Sequence, residues 1–136
     1  MTEFLKLQLP SSLDYIETIL DSAELFLERN QIDSDLIGYL VASLAEATSN
    51  AIIHGNHENI LKSVFIDLAL EKDVIRLSVE DSNPEGYSSL VEGNSELPDQ
   101  KAIHGRGLFI IKTYMDNVSL QKGDHGSRMV MIKRYQ

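Results

Sequence analysis

The chain has 136 residues, no cysteine, 43% apolar residues, and 12 basic against 21 acidic side chains, for a net charge of −9. Such a length predicts a single domain, 1–136, with a sizeable core. The apolar share excludes disorder and fibres, and the missing thiols exclude disulfide scaffolds, thiolate zinc sites and cysteine nucleophiles, as expected of a cytoplasmic chain. The negative balance repels phosphate backbones, so no direct nucleic-acid binding is expected. No uninterrupted apolar run approaches the roughly 18 residues of a membrane span, and the start MTEFLKLQLP does not read as a leader.

Phe4, Leu5, Leu7 and Leu9 open the chain as a short strand closed by Pro10. Ser11 and Ser12 offer a cap, and Leu13, Ile16, Leu20, Ala23 and Leu27 recur at helical spacing, predicting a helix over 12–30. Asp33 or Ser34 caps a second helix over 34–54, whose apolar stripe is Ile37, Val41, Leu44, Ala47, Thr48 and Ala51 and whose end falls near Gly55. Val64, Ile66, Leu68 and Leu70 alternate with Phe65, Asp67 and Ala69. After the tight Lys72–Asp73 connection, Ile75, Leu77 and Val79 alternate again, which reads as a hairpin.

Residues 82–104 contain two of the three prolines, two glycines and four serines with little periodicity, so 84–104 reads as a functional or a disordered loop. Leu108, Ile111 and Met115 mark a third helix over 107–116, and strands over 118–122 and 128–135 follow, joined by a Gly-Asp-His-Gly turn. This order predicts an α/β chain of the α+β two-layer kind: a mixed, mostly antiparallel sheet with about three helices on one face. It disfavours a doubly wound dinucleotide fold.

Three segments carry chemistry. Glu46, Asn50 and His54 are four apart, so a carboxylate, a carboxamide and an imidazole stack along one helix face. Such a row can position a water or hydroxyl and offers oxygen to Mg²⁺, although the spacing alone also fits a solvated face. Glu46 is the only charged residue between Leu36 and Ile53. Asp81 follows Ile75, Leu77 and Val79 at period two and would face the core, where a carboxylate needs a donor such as an exocyclic amino group; alternatively it starts a turn with Ser82-Asn83-Pro84. His104-Gly105-Arg106-Gly107-Leu108 places two glycines at a helix start, an anion site or simply a flexible junction. A metal site from His54 and His57 is disfavoured, because both suit the negative end of a helix dipole.

In this order and at these separations, the three segments resemble the N, G1 and G2 boxes of the GHKL ATPase superfamily. The phrases LAEATSNAIIHG and GRGLFIIKTYMDNV, with the closing Gly-Ser-Arg-Met-Val-Met strand, are most similar to its bacterial anti-sigma factor branch of serine-protein kinases. The resemblance implies a Bergerat-type ATP-binding fold with 84–104 as an ATP lid. By position, Glu46 would be the general base and Asn50 the Mg²⁺ ligand. Asp81 would accept from the adenine amino group, with Asn83 beside it. Gly105, Arg106, Gly107 and Leu108 would cradle the phosphates, and His54 would lie near the nucleotide. The implied partners are a sigma factor and a small antagonist protein phosphorylated on serine or threonine, with room for a homodimer.

The family's G1 box reads Asp-x-Gly-x-Gly, whereas Asp81 is followed by Ser82, Asn83, Pro84, Glu85 and Gly86. Asn83, which adopts a left-handed backbone more readily than most residues, stands in for the first glycine. This departure fits a second reading, a non-catalytic protein-binding module of the same fold; a third reading is a detached histidine-kinase-like ATPase domain. The latter branch usually has asparagine where Glu46 stands.

Overall fold

A computed structural model describes residues 2–84 and 106–135. In chain order it contains β1 (Glu3–Pro10), a 3-10 turn (Leu13–Tyr15), α1 (Ile16–Arg29), α2 (Ser34–Asn50) and a π turn (Ala51–Gly55). Then come β2 (Ser63–Leu70), β3 (Val74–Glu80), α3 (Arg106–Tyr114), β4 (Asn117–Lys122) and β5 (Ser127–Arg134). The strands form one sheet in the order β1-β2-β3-β5-β4. All four pairings are antiparallel, because two hairpins, β2–β3 and β4–β5, join through β3 and β5.

Period-two patterning fixes the register. Leu5, Leu68, Leu77, Met131 and Val118 form one row across the sheet, and Leu7, Ile66, Val79, Met129 and Leu120 form the next. These rows face the helices and share one core with Ile19, Ala23 and Leu27 of α1, Ile37, Leu40 and Leu44 of α2, and Ile111 of α3. The opposite face carries polar rows, including Gln8, Phe65, Glu80, Arg128 and Gln121. That is the two-layer α+β sandwich expected, with an antiparallel sheet wet on one side.

Several boundaries differ from the sequence reading for local reasons. Ser12 does cap, accepting from the Asp14 amide at 3.2 Å, but it starts a 3-10 turn, which leaves Leu13 exposed; Ile19 takes the core position instead. Asp33, not Ser34, caps α2, accepting from the amides of Asp35 (3.0 Å) and Leu36 (3.4 Å). The second helix is not α-helical to residue 54: after Asn50 it widens, and the Asn56 amide donates to Ala51 O at 2.8 Å, five residues back. The third helix runs Arg106–Tyr114 rather than 107–116. Asp73 takes a φ of 74°, which closes the expected β2–β3 connection. Beyond Pro84, the lid expected over 84–104 lies outside the described residues.

Ser34–Gly55 has the length to cross a membrane, with a mean hydropathy of 1.4 in its most apolar window, the single such helix among the described residues. Its apolar stripe is spent on the core, where Leu40 and Leu44 are almost completely buried. Truncating one of them removes about three carbons from a packed layer. Leu44→Ala is therefore expected to destabilise the fold by about 2–5 kcal/mol, read as a lower midpoint of urea unfolding at unchanged slope.

Candidate nucleotide site

α2, the π turn and the ends of β3 and β5 enclose a cavity of about 160 Å³. Its walls are apolar (Ala47, Ala51, Val79, Leu120, Met129), and its polar groups come from Asn50, His54, Asp81, Asn83 and Ser127. A site for a whole drug-sized ligand is typically about 300–1,000 Å³, so this cavity fits one end of a ligand, with the remainder continuing outward. On the outward path lies the start of α3. A Cβ built on Gly107 would stand 3.0 Å from Glu46 Oε2 and 3.4 Å from Asn50 Nδ2. The first turn of α3 thus lies against both side chains, and a helix start is where an anion site can be built.

Asp81 occupies the closed end. It continues the inward row of β3 with its amide bonded to Ser127 O at 3.0 Å. Its carboxylate accepts from the Asn83 amide at 2.8 Å. A Cβ on Gly55 would fall on the Asp81 carboxylate, so the π turn reaches the strand end only because residue 55 has no side chain. Burial pushes the Asp81 carboxyl up to about 6, against the downward pull of the Asn83 and Ser127 amides and with a further rise from the charge of Glu80.

Glu80, one residue earlier, points to the opposite face and is 3% exposed. Burial raises its carboxyl, but the His125 amide, the Arg128 guanidinium (2.8 Å) and the His125 ring (2.9 Å) outweigh that and hold it below the ordinary carboxylate range. Two adjacent acids are thus shifted oppositely: Glu80 is satisfied by Arg128 and by the amide and ring of His125, whereas Asp81 is held by amides beside a cavity.

Of the residues singled out in the sequence, the structure gathers Asn50, His54, Asp81 and Asn83 at one cavity and sets Glu46 and Gly107 beside it. Leu108 is buried, packing α3 down rather than facing the cavity. His54 is exposed and lies in the π turn, so it leaves the Glu46–Asn50 row. Gly105 and the Arg106 side chain lie outside the described residues. Asn83 does not take the left-handed backbone anticipated: among the described residues other than glycine, those with positive φ are Gln31, His57, Glu58 and Asp73. Hydrogen bonds shape its turn instead, and Ser127 Oγ donates to Asn83 O at 2.7 Å.

Ser127, Met129 and Leu120 escaped the sequence reading as cavity residues. Their place at the cavity depends on the adjacency of β5 to β3 and β4, which near neighbours in sequence do not show. The site also suits a magnesium ion. Asn50 Nδ2 is buried with no hydrogen-bond partner, so no bond from that atom ties the carboxamide down, and its oxygen, like the carboxylate of nearby Glu46, suits this hard cation, which takes few protein ligands when phosphates supply the rest.

Known proteins share this family and fold. A family model described as a histidine kinase-like ATPase domain matches residues 9–133. An anti-sigma F factor of Clostridium perfringens is 32% identical over 96 residues, 68% of this chain and 68% of that protein. One of Bacillus subtilis is 30% identical over 95 residues, 68% of this chain and 64% of that protein. Among solved structures, the fold is shared with the RsbU and RsbW domains of a Mycobacterium tuberculosis protein (TM-score 0.71, 18% identity, 97% of this chain, 32% of that one). It is shared too with a chain of the SiaB–SiaC complex from Pseudomonas aeruginosa (TM-score 0.69, 17% identity, 96% of this chain, 88% of that one). The chain belongs to the histidine kinase-like ATPase domain family, in its anti-sigma factor branch.

Proposed function

We propose that this chain binds ATP and Mg²⁺ and acts as an anti-sigma regulator that transfers the γ-phosphate to a serine or threonine hydroxyl of a small antagonist protein. The observation that carries the reading is the seating of Gly107, at the start of α3, against Glu46 and Asn50. In this reading the phosphates lie where the Glu46 carboxylate, the Asn50 carboxamide and the start of α3 come together. Relatives named anti-sigma F factors support the regulatory half, with a sigma factor as the sequestered partner.

In this reading the adenine ring enters the apolar cavity and its amino group donates to Asp81. The amides at the start of α3 receive the phosphates, helped by the positive end of the helix. Asn50 would hold the magnesium ion, which supplies charge neutralisation to the phosphate oxygens. Glu46 accepts the proton of the target hydroxyl as its oxygen bonds to the γ-phosphorus, and the bond from phosphorus to the bridging oxygen breaks, leaving ADP. Phosphoryl transfer asks little covalent chemistry of the protein beyond such positioning and charge stabilisation. The turn after Asp81, without its family glycines, favours as a second reading a binding module that docks partners without turnover.

Three outcomes test the proposal. Asn50→Ala should weaken ATP binding in titration calorimetry with Mg²⁺, and ATP more than ADP; equal, metal-independent affinities in both proteins would favour the binding module. Glu46→Gln keeps shape and one acceptor oxygen while removing basicity, so it should bind ATP normally but transfer labelled γ-phosphate to an antagonist at least roughly a hundredfold more slowly. Wild-type turnover in that variant would remove Glu46 as the base.

Asp81 gives a third, pH-dependent outcome. Its folded carboxyl titrates near 6 rather than at the ordinary 3.8, so the folded state holds its proton longer than the unfolded chain does. Stability from this group is therefore full below the ordinary value and is lost as pH rises through about 6. Asp81→Asn abolishes that loss. It should melt higher than wild type above pH 6, relative to their difference at pH 4, while binding ATP more weakly; identical pH profiles of melting temperature would show that Asp81 is not a buried acid.

A further inference from the structure

Residues 81–83 make their turn without glycine and without a left-handed residue, so something else must hold it. From the helix side the holder is Asn56, which is 1% exposed. Its Oδ1 accepts from the Ser82 amide at 2.9 Å. Its Nδ2 donates to Ser11 Oγ at 2.8 Å and to Ser63 O at 3.0 Å. Each of these polar atoms is thus engaged and the carboxamide cannot rotate without breaking buried bonds. The chain bends sharply to put it there. The Asn56 amide closes the π turn on Ala51 O, and His57 and Glu58 follow at φ 54° and 56°. Two consecutive non-glycine residues in the left-handed region are costly and persist only where the surroundings impose them.

From the strand side, Gly126 is pressed so closely on the Asp81 carbonyl and the Asn83 amide that it has no room for a Cβ, and Ser127 Oγ donates to Asn83 O at 2.7 Å. The turn is therefore clamped between Asn56 and the start of β5. Within it, the Asn83 amide orients the Asp81 carboxylate.

We propose that Asn56 is a positioning residue for base recognition: by fixing the Ser82 amide it holds the 81–83 turn in the shape that presents Asp81 to an adenine amino group. This rests on the reading that Asp81 receives that group. Asn56 does not touch the nucleotide; it acts through Ser82 and Asp81. Guanine has a carbonyl oxygen where adenine has the amino group, so it cannot donate to Asp81 there. Loosening the turn should lower adenine affinity and leave the poorer guanine binding nearly unchanged.

The test compares ATP and GTP affinities, by titration calorimetry well below the melting temperature, for wild type, Asn56→Ala and Ser11→Ala. Ser11→Ala removes the far-side hydroxyl, which also donates to Lys62 O at 2.7 Å, but leaves the Asn56–Ser82 bond intact. Asn56→Ala should reduce the ATP-to-GTP affinity ratio by about tenfold, whereas Ser11→Ala should lower stability and keep the ratio. A folded Asn56→Ala protein with the wild-type ratio, or an equal fall in Ser11→Ala, overturns the assignment while leaving the adenine reading intact. If Asn56→Ala does not fold, amide hydrogen exchange in the wild-type protein decides: a protected Ser82 amide is expected, and one exchanging as freely as an exposed turn overturns the assignment. Wild-type protein that binds neither nucleotide overturns the adenine reading itself.

Discussion

A carboxylate sits at the end of β3 because the residue facing it has no side chain. The Gly55–Asp81 contact sets how closely the C-terminal end of α2 can approach the sheet, and the cavity lies in the angle between them. An α-helix continued through residue 54 would carry the chain along the sheet. The π turn instead adds a residue to the last turn and swings Gly55 onto the strand end. Burying an acid there is unfavourable, as the upward-shifted Asp81 carboxyl records, and the neighbouring amides offset only part of that cost. A local imbalance of this kind is what a site reserved for a donor ligand looks like.

Glu80 shows what the same chemistry looks like when the fold completes it. It is as deeply buried as a core residue, yet Arg128 and His125 hold it ionised, and the His125 ring stacks on Phe65 with centroids 3.9 Å apart. Those contacts tie the β4–β5 turn to the outer face of β3, and the inner side of the same turn supplies Gly126 and Ser127 to the cavity. One acid fastens the frame, and in the proposed function its neighbour is the one that recognises the ligand. The alternation of a strand assigns the two roles, since adjacent side chains must point to opposite faces.

The period-two runs in β2 and β3 and the caps at Ser12 and Asp33 were legible because they depend on near neighbours in sequence. Glu46, Asn50, Asp81 and Gly107 stood out because their residue types are unusual for their local surroundings. What stayed hidden depends on adjacency between distant segments. Nothing near Asn56 distinguishes it from a residue that merely ends a helix, since its partners Ser11, Ser63 and Ser82 come from three separate parts of the chain. Asn83 was misread for a related reason: a missing glycine suggests a residue that tolerates left-handed geometry, whereas the turn is closed by bonds from Asn56 and Ser127. Local reasoning looks for a conformational substitute; tertiary structure supplied a bonded one.

The net charge of −9 poses the remaining electrostatic question, because phosphates carry the same sign. Distant surface charges are screened beyond a Debye length of about 8 Å at physiological salt, so local groups decide. Among the described residues lining the cavity there is no lysine or arginine, and Asp81 is an acid. Beside it lies Glu46, a second carboxylate, against Gly107. In the proposed function it is the start of α3 that would favour an anion, because a helix N-terminus offers a fraction of a positive charge. A triphosphate set between a helix start and a carboxylate is under-neutralised unless a cation accompanies it, and the carboxamide of Asn50 is the neutral oxygen donor beside that space. The pairing of Glu46 with Asn50 one turn later therefore has an electrostatic logic of its own. An acid can stand next to phosphate as a base only where a neighbouring group recruits positive charge.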